Sequence, residues 1–170
     1  MPNFTPFFVD SKGQPISFKG HTVVRTDKFP VTNGDTLIAS IEKTRADKRQ
    51  GFVIDISGYC IMNGEICKKG KGVRMLFWED TMPKQLRLKI FTKQDFVWIS
   101  NIWEESGSYL SILQNGTSVY RERQTTNYEV EGAAMIVEEI EGGRRYLCND
   151  RDPDEDFDDI IFTVQNLGQS

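Results

Sequence analysis

Between Asp150 and Asp159 the chain reads DRDPDEDFDD, which sets Asp150, Asp152, Asp154, Asp156 and Asp158 at every second position, with Glu155 and Asp159 beside them. Seven acidic side chains against the single Arg151 repel one another unless cations neutralise them. Carboxylate oxygens are hard ligands and Ca²⁺ takes about six to eight of them, so bound calcium is the chemistry this composition suggests. In an extended strand the five even-numbered aspartates would spread over about 27 Å at roughly 3.4 Å per residue, too far for one ion. Convergence needs a folded loop, and Pro153 favours one by opposing a central strand. The one-residue spacing of Asp150, Asp152 and Asp154 matches the start of an EF-hand loop, but the sharp-turn glycine and the helical flanks are missing. Two other solutions stay open: a solvated acidic turn that protects an edge strand, or neutralisation by the eight basic residues between Lys68 and Lys93.

Other residues suggest binding more than catalysis. Trp78, Asn101 and Trp103 combine flat aromatic rings with polar neighbours, the chemistry of a sugar-binding face if both tryptophans sit at strand ends with their rings partly exposed. Trp98 lies in a run apolar on both faces and is expected in the core. Glu79 and Glu104 are the carboxylate pair to test for glycoside hydrolysis, although spacing in sequence does not give their separation. His21 is the only histidine, follows Gly20, and reads as a turn or strand-start residue; no nucleophile-elbow or zinc spacing surrounds it or the cysteines. Lys68-Lys69-Gly70-Lys71-Gly72 has neither the P-loop nor the dinucleotide spacing and reads as a loop. The acceptor patterns Asn3-Phe4-Thr5 and Asn115-Gly116-Thr117 are accounted for by chance, the second also by a turn.

The elements that must position these residues read as strands. Runs rich in Val, Ile, Phe, Tyr, Thr and Trp alternate with Gly, Asn, Asp and Pro. Leu86 to Ile90 alternates apolar with basic residues, the pattern of a half-buried strand. Further strands are expected at Thr36 to Ile41, Gly51 to Ile56, Val73 to Phe77, Phe96 to Trp103, Ala133 to Ile140 and Ile160 to Val164. Asn33-Gly34, Asn63-Gly64 and Asn115-Gly116 mark tight turns. The last joins Tyr109–Leu113 to Thr117–Arg121. Around Asn63-Gly64 the register faces Met62 with Glu65, Ile61 with Ile66 and Cys60 with Cys67. That pairing puts the two cysteines within disulfide range or leaves them as two small hydrophobes. Ile41 to Gln50 offers too little apolar face for a helix and reads as a loop or short turn. Strands without intervening helices predict an all-β chain, an antiparallel β-sandwich of jelly-roll-like type, with residues 1–170 forming one domain.

Composition narrows the classes. The chain has 170 residues, of which 38% are hydrophobic and 27% charged, as in an ordinary globular domain. A net charge of −4 argues against nucleic acid as a partner, and no stretch approaches a spanning helix, which argues against membrane insertion. Three cysteines exclude complete intrachain pairing, and together with the absence of a signal-peptide pattern they fit a reducing, cytoplasmic setting; a removed leader would permit an extracellular one.

Val137-Glu138-Glu139-Ile140, Asn149-Asp150-Arg151-Asp152 and Asp156-Phe157-Asp158-Asp159-Ile160-Ile161-Phe162 resemble the end of a bacterial surface-protein β-domain family. That family carries an acidic-hydrophobic step, an aspartate-rich loop and a terminal Asp-aromatic-Asn/Asp-Asp motif. The resemblance implies a β-sandwich with a calcium site formed by Glu138, Asp150, Asp152, Asp156, Asp158 and Asp159, to which the aspartate-rich loop adds Asp154. The chain departs from the family pattern in the inserted Pro153-Asp154-Glu155 and in Asp158, where asparagine is commoner. The reading is a non-enzymatic, calcium-binding β-sandwich that recognises a glycan or protein ligand. Its alternative is a structural, self-assembling protein, a homo-oligomer of shell or fibre type.

Overall fold

The structure, a computed structural model, describes residues 14–45, 48–112, 114–127, 134–149 and 157–169. They form fourteen strands: β1 (Ile16–Phe18), β2 (His21–Val24), β3 (Asp27–Pro30), β4 (Asp35–Thr44), β5 (Gln50–Ile56), β6 (Gly58–Met62), β7 (Glu65–Cys67), β8 (Val73–Trp78), β9 (Leu86–Thr92), β10 (Phe96–Ile112), β11 (Ser118–Asn127), β12 (Ala134–Ile140), β13 (Gly143–Asn149) and β14 (Ile160–Gln169). A nine-stranded sheet runs β1-β2-β12-β13-β14-β4-β9-β6-β7, and a five-stranded sheet runs β11-β10-β5-β8 with β3 also on β10. Every pairing is antiparallel. The chain is an antiparallel β-sandwich, with no helix among the described residues.

Alternation builds the core. Leu86, Leu88 and Ile90 are buried while Arg87 is exposed, because side chains along a strand point to opposite faces. Phe52, Ile54 and Ile56 of the smaller sheet meet Leu37, Leu88, Ile90 and Phe162 of the larger one in one cluster. Phe52 stacks on Phe162 at 4.5 Å between ring centroids, so the two sheets touch ring to ring. The run from Phe96 is buried on both faces as expected, with Val97, Ile99, Ser100 and Ile102 all enclosed. Trp98 departs from its expectation: it is half-buried on the outer face, edge-on to Phe96, with the Lys28 ammonium over both rings.

The Asn63-Gly64 hairpin has the expected register, with Cys60 opposite Cys67. Asn63 (φ 53°) and Gly64 (φ 78°) both adopt the left-handed conformation that a two-residue turn matching strand twist requires. The same device appears at Lys19-Gly20 (φ 48° and 81°), where no Asn-Gly signal announced a hairpin, and it creates β1 and β2. Ile41 to Thr44, expected as loop or turn, continue β4, since β14 supplies a hydrogen-bonding partner along its length.

A polar contact also crosses the sandwich. Asp27 on β3 accepts hydrogen bonds at the same oxygen, Oδ2, from the Tyr146 hydroxyl (2.6 Å) and from Arg144 Nη1 (2.8 Å), both on β13 of the opposite sheet. A smaller apolar cluster covers the outer face of β2 and β12, where Val23, Ala134 and Ile136 receive Phe157, Ile16, Phe18 and Leu147. Phe157 takes φ 52°, a conformation costing a side-chain-bearing residue of order 1 kcal/mol, and the burial of its ring offsets that cost.

Candidate functional site

The acidic segment connects β13 to β14, whose last paired residues are Cys148 and Ile160. Asp150, Asp152, Asp154 and Asp156 lie outside the described residues. The ends of the connection are pinned. Asp159 N–H donates to the Cys148 carbonyl at 3.0 Å. Phe157 N–H donates to Asn149 Oδ1 at 2.8 Å. The Asn149 carbonyl accepts Asn101 Nδ2 at 2.9 Å. Asp158 is buried, and its Oδ2 accepts Arg45 Nη1 at 3.0 Å and Lys43 Nζ at 3.4 Å. Burial works against its charge, but these two cations prevail and hold the carboxyl below its ordinary range. Asp158 Oδ1 is buried without a hydrogen-bond partner among the described residues.

For Asp158 the neutralising cations come from β4 and the residue after it and not from the Lys68–Lys93 segment, because β14 pairs with β4 and brings Lys43 opposite Ile161. Glu138 is also not beside Asp158. It pairs with Arg145 at 3.5 Å, and Arg145 faces Thr163, three residues or roughly 10 Å along β14 from Ile160. Among the described residues, no group of three or more His, Cys, Asp or Glu side chains is arranged to hold a metal.

Trp78, Asn101 and Trp103 do not share a surface. Asn101 and Trp103 follow Val97 and Ile99 at every second position, on the inner face of β10, and Trp103 is 0% exposed. The expectation of a ligand stacking on Trp103 is thus overturned, because its ring faces the interior of the sandwich. Asn101 spends an amide N–H inside the protein, on Asn149. Trp78 is half-buried under the Arg49 guanidinium, 4.4 Å from the ring centroid. Arg49 in turn donates to Asp80 (2.8 Å) and Glu104 (2.9 Å). Hydrogen bonding to Asp80 raises its pKa against the opposing effect of burial, and Glu104 adds to the rise. Glu79 and Glu104 flank this arginine from neighbouring strands, their amides donating to the Gln50 and Arg49 carbonyls. With its carboxylate tied to Arg49, Glu104 is committed to an ion pair.

His21 is exposed at the first residue of β2, as its sequence context suggested. The three cysteines are free thiols. Burial, with Cys67 adding, pushes the Cys60 thiol up to about 12.

A different arrangement lies on the outer face of the large sheet, at the end of β4 opposite the acidic loop. Antiparallel register sets Tyr59 of β6 beside Phe91 of β9, and the rings stack at 4.8 Å with 15° between planes. They line a groove of about 440 Å³ with Asn33, Gly58, Lys68, Gly70, Lys71, Thr92 and Lys93. Lys68 Nζ lies 5.6 Å from the Tyr59 centroid, and Lys89 Nζ lies 5.7 Å from that of Phe91. The walls are held by the backbone: Thr92 N–H donates to Asn33 Oδ1 (3.0 Å), and Lys93 N–H donates to the Ser57 carbonyl (3.1 Å). A Cβ on Gly58 would stand 2.0 Å from the Phe91 carbonyl oxygen, so only glycine lets β6 enter this close to β9. Gly70 (φ 63°) turns the lysine-rich loop that supplies Lys68 and Lys71.

Sequence reasoning passed over this groove. Its rings lie on two separate strands, β6 and β9, and the Lys-Gly loop matches no phosphate motif. The one visible signal was the excess of basic residues from Lys68 to Lys93. Comparison of the chain with protein-family models, with curated proteins and with solved structures finds no match, so its kinship rests on no family.

Proposed function

We propose that the protein is a non-enzymatic β-sandwich that recognises a glycan, with the Tyr59–Phe91 groove as its binding site. The supporting observation is the stacked aromatic pair on an outer face, beside a groove within the size range of small-ligand sites. Sugar C–H groups pack on aromatic faces and lysine stems, and polar wall atoms take hydroxyls. Glycan-array screening followed by calorimetry tests it. A hit that Tyr59→Ala and Phe91→Ala weaken supports the reading, and absence of binding to any glycan at millimolar concentration overturns it.

Calcium at the β13–β14 connection is the second part of the proposal, in keeping with the resemblance to bacterial surface domains. Its support is the carboxylate density of residues 150–159 and the buried Asp158 Oδ1, which has no partner among the described residues. Asp158 Oδ2 is already balanced by Lys43 and Arg45, so it contributes at most its second oxygen. Millimolar Ca²⁺ is expected to raise the melting temperature and a chelator to reverse the rise; an unchanged melt removes the metal from the proposal.

A second reading, self-association, is favoured by the β10–β11 ribbon. Ten residue pairs run from Trp103↔Asn127 to Ile112↔Ser118, and among the described residues neither outer edge of the ribbon beyond Glu104 is paired. Unpaired edges are templates for another strand. Sedimentation at several concentrations decides, since a strict monomer excludes it.

A further inference from the structure

The groove carries an imbalance of charge that narrows its ligand. Lys68, Lys71 and Lys93 line it, Lys89 stands beside it, and no carboxylate among the described residues lines it. None of these four lysines has an ion-pair partner among the described residues, whereas Lys43, Arg45, Arg49, Arg74, Arg144 and Arg145 are all paired. In a chain of net charge −4, four such cations are gathered at one groove. Like charges held together repel, so an anionic occupant is what relieves them.

We infer that the groove selects an acidic glycan, a sugar chain bearing sulfate or carboxylate groups, over a neutral one. This rests on the glycan reading of the same groove and adds the chemical class. The cations lining it are lysines, compact point charges without the flat fork that arginine offers, so recognition follows anionic charge density more than paired planar geometry. Single-stranded nucleic acid is disfavoured because tight backbone binding draws on many phosphate contacts, more than the three lysines lining this groove supply.

The experiment compares dextran sulfate oligosaccharides, oligogalacturonate, neutral dextran oligosaccharides of equal length, and single-stranded DNA of equal charge, titrated into the intact protein. Two double variants are assayed alongside: Lys71→Ala with Lys93→Ala in the groove, and Lys28→Ala with Lys84→Ala elsewhere, all four residues being exposed. Support is binding of the sulfated or carboxylated sugar that weakens with salt, falls about fivefold or more in the groove variant, and is unchanged in the control variant. The two acidic sugars separate sulfate from carboxylate as the preferred group. Equal binding of neutral dextran, untouched by the groove variant but lost in Tyr59→Ala, overturns the acidic class and leaves the glycan reading standing. Tighter binding of the DNA than of either acidic sugar overturns the inference, and binding of no sugar overturns both readings.

Discussion

Replacing Tyr146 with phenylalanine deletes one oxygen from the middle of the sandwich and leaves the ring in place. The ring is 0% exposed and stacks on Phe162 at 5.0 Å, so its packing survives the change. What disappears is the 2.6 Å hydrogen bond from the hydroxyl to Asp27 Oδ2, which ties β13 of one sheet to β3 of the other. A hydrogen bond to an ionised acceptor contributes about 1.5–3 kcal/mol. Arg144 Nη1 still donates to the same oxygen at 2.8 Å, so Asp27 is not left bare and the lower half of that range, about 1.5–2 kcal/mol, applies. For a chain of this length each kcal/mol shifts the midpoint by about 2–4 °C, which gives a fall of roughly 3–8 °C. Thermal and urea unfolding measure it, with the urea slope unchanged because the exposed area hardly alters. A double-mutant cycle with Asp27→Asn should return a coupling of about 1 kcal/mol or more. A Tyr146→Phe protein melting within about 1 °C of the parent, or a cycle with no coupling, would refute the claim that this bond holds the two sheets together.

Four further outcomes follow from the geometry. Asp158, held below its ordinary pKa in the folded chain, contributes stability that is present above its unfolded value of 3.8 and is lost as pH falls through the folded value. Acid titration of the melting temperature should show this loss, and Asp158→Asn should cost about 1 kcal/mol at neutral pH and flatten that limb. At the alkaline end the sign reverses: Cys60, raised from 9.0 to about 12, and the buried Cys148 and Tyr146, also raised, favour the fold while neutral. Stability should therefore decline as pH climbs above about 9, less so in Cys60→Ala once its neutral-pH cost is subtracted. Gly58→Ala forces a Cβ against the Phe91 carbonyl oxygen and should destabilise by about 2 kcal/mol or more in denaturant melts, while also weakening any ligand of the groove. Arg49→Met removes the pairing of Asp80 and Glu104 and uncovers Trp78, so its fluorescence should shift to longer wavelength and become more accessible to quencher.

Much of the fold was legible, and the particular misses share a cause. The Cys60–Cys67 register followed from Asn63-Gly64 because a two-residue turn fixes which residues face each other. Leu86 to Ile90 declared its buried face through alternation. By contrast β13 escaped notice because Arg144 and Arg145 interrupt its apolar pattern. Only the position of Asp27, on a strand of the other sheet, explains why an arginine is tolerated at the border of the core. Trp103 was misread for a similar reason: the acidic residues after it suggested a strand end, yet β10 runs on to Ile112 and its inner face encloses the ring.

The sequence by itself determined that the chain is all strands, where its tight turns fall, which residues alternate into the core, and that negative charge gathers near one end and positive charge between Lys68 and Lys93. Tertiary structure decided which of those residues meet. Pairing β14 with β4 gave Asp158 its cations, and pairing β6 with β9 set Tyr59 against Phe91 above the lysines. Local periodicity is written in neighbouring residues, whereas the pairing of strands distant in sequence depends on how two whole faces bury each other, which no short stretch of chain encodes.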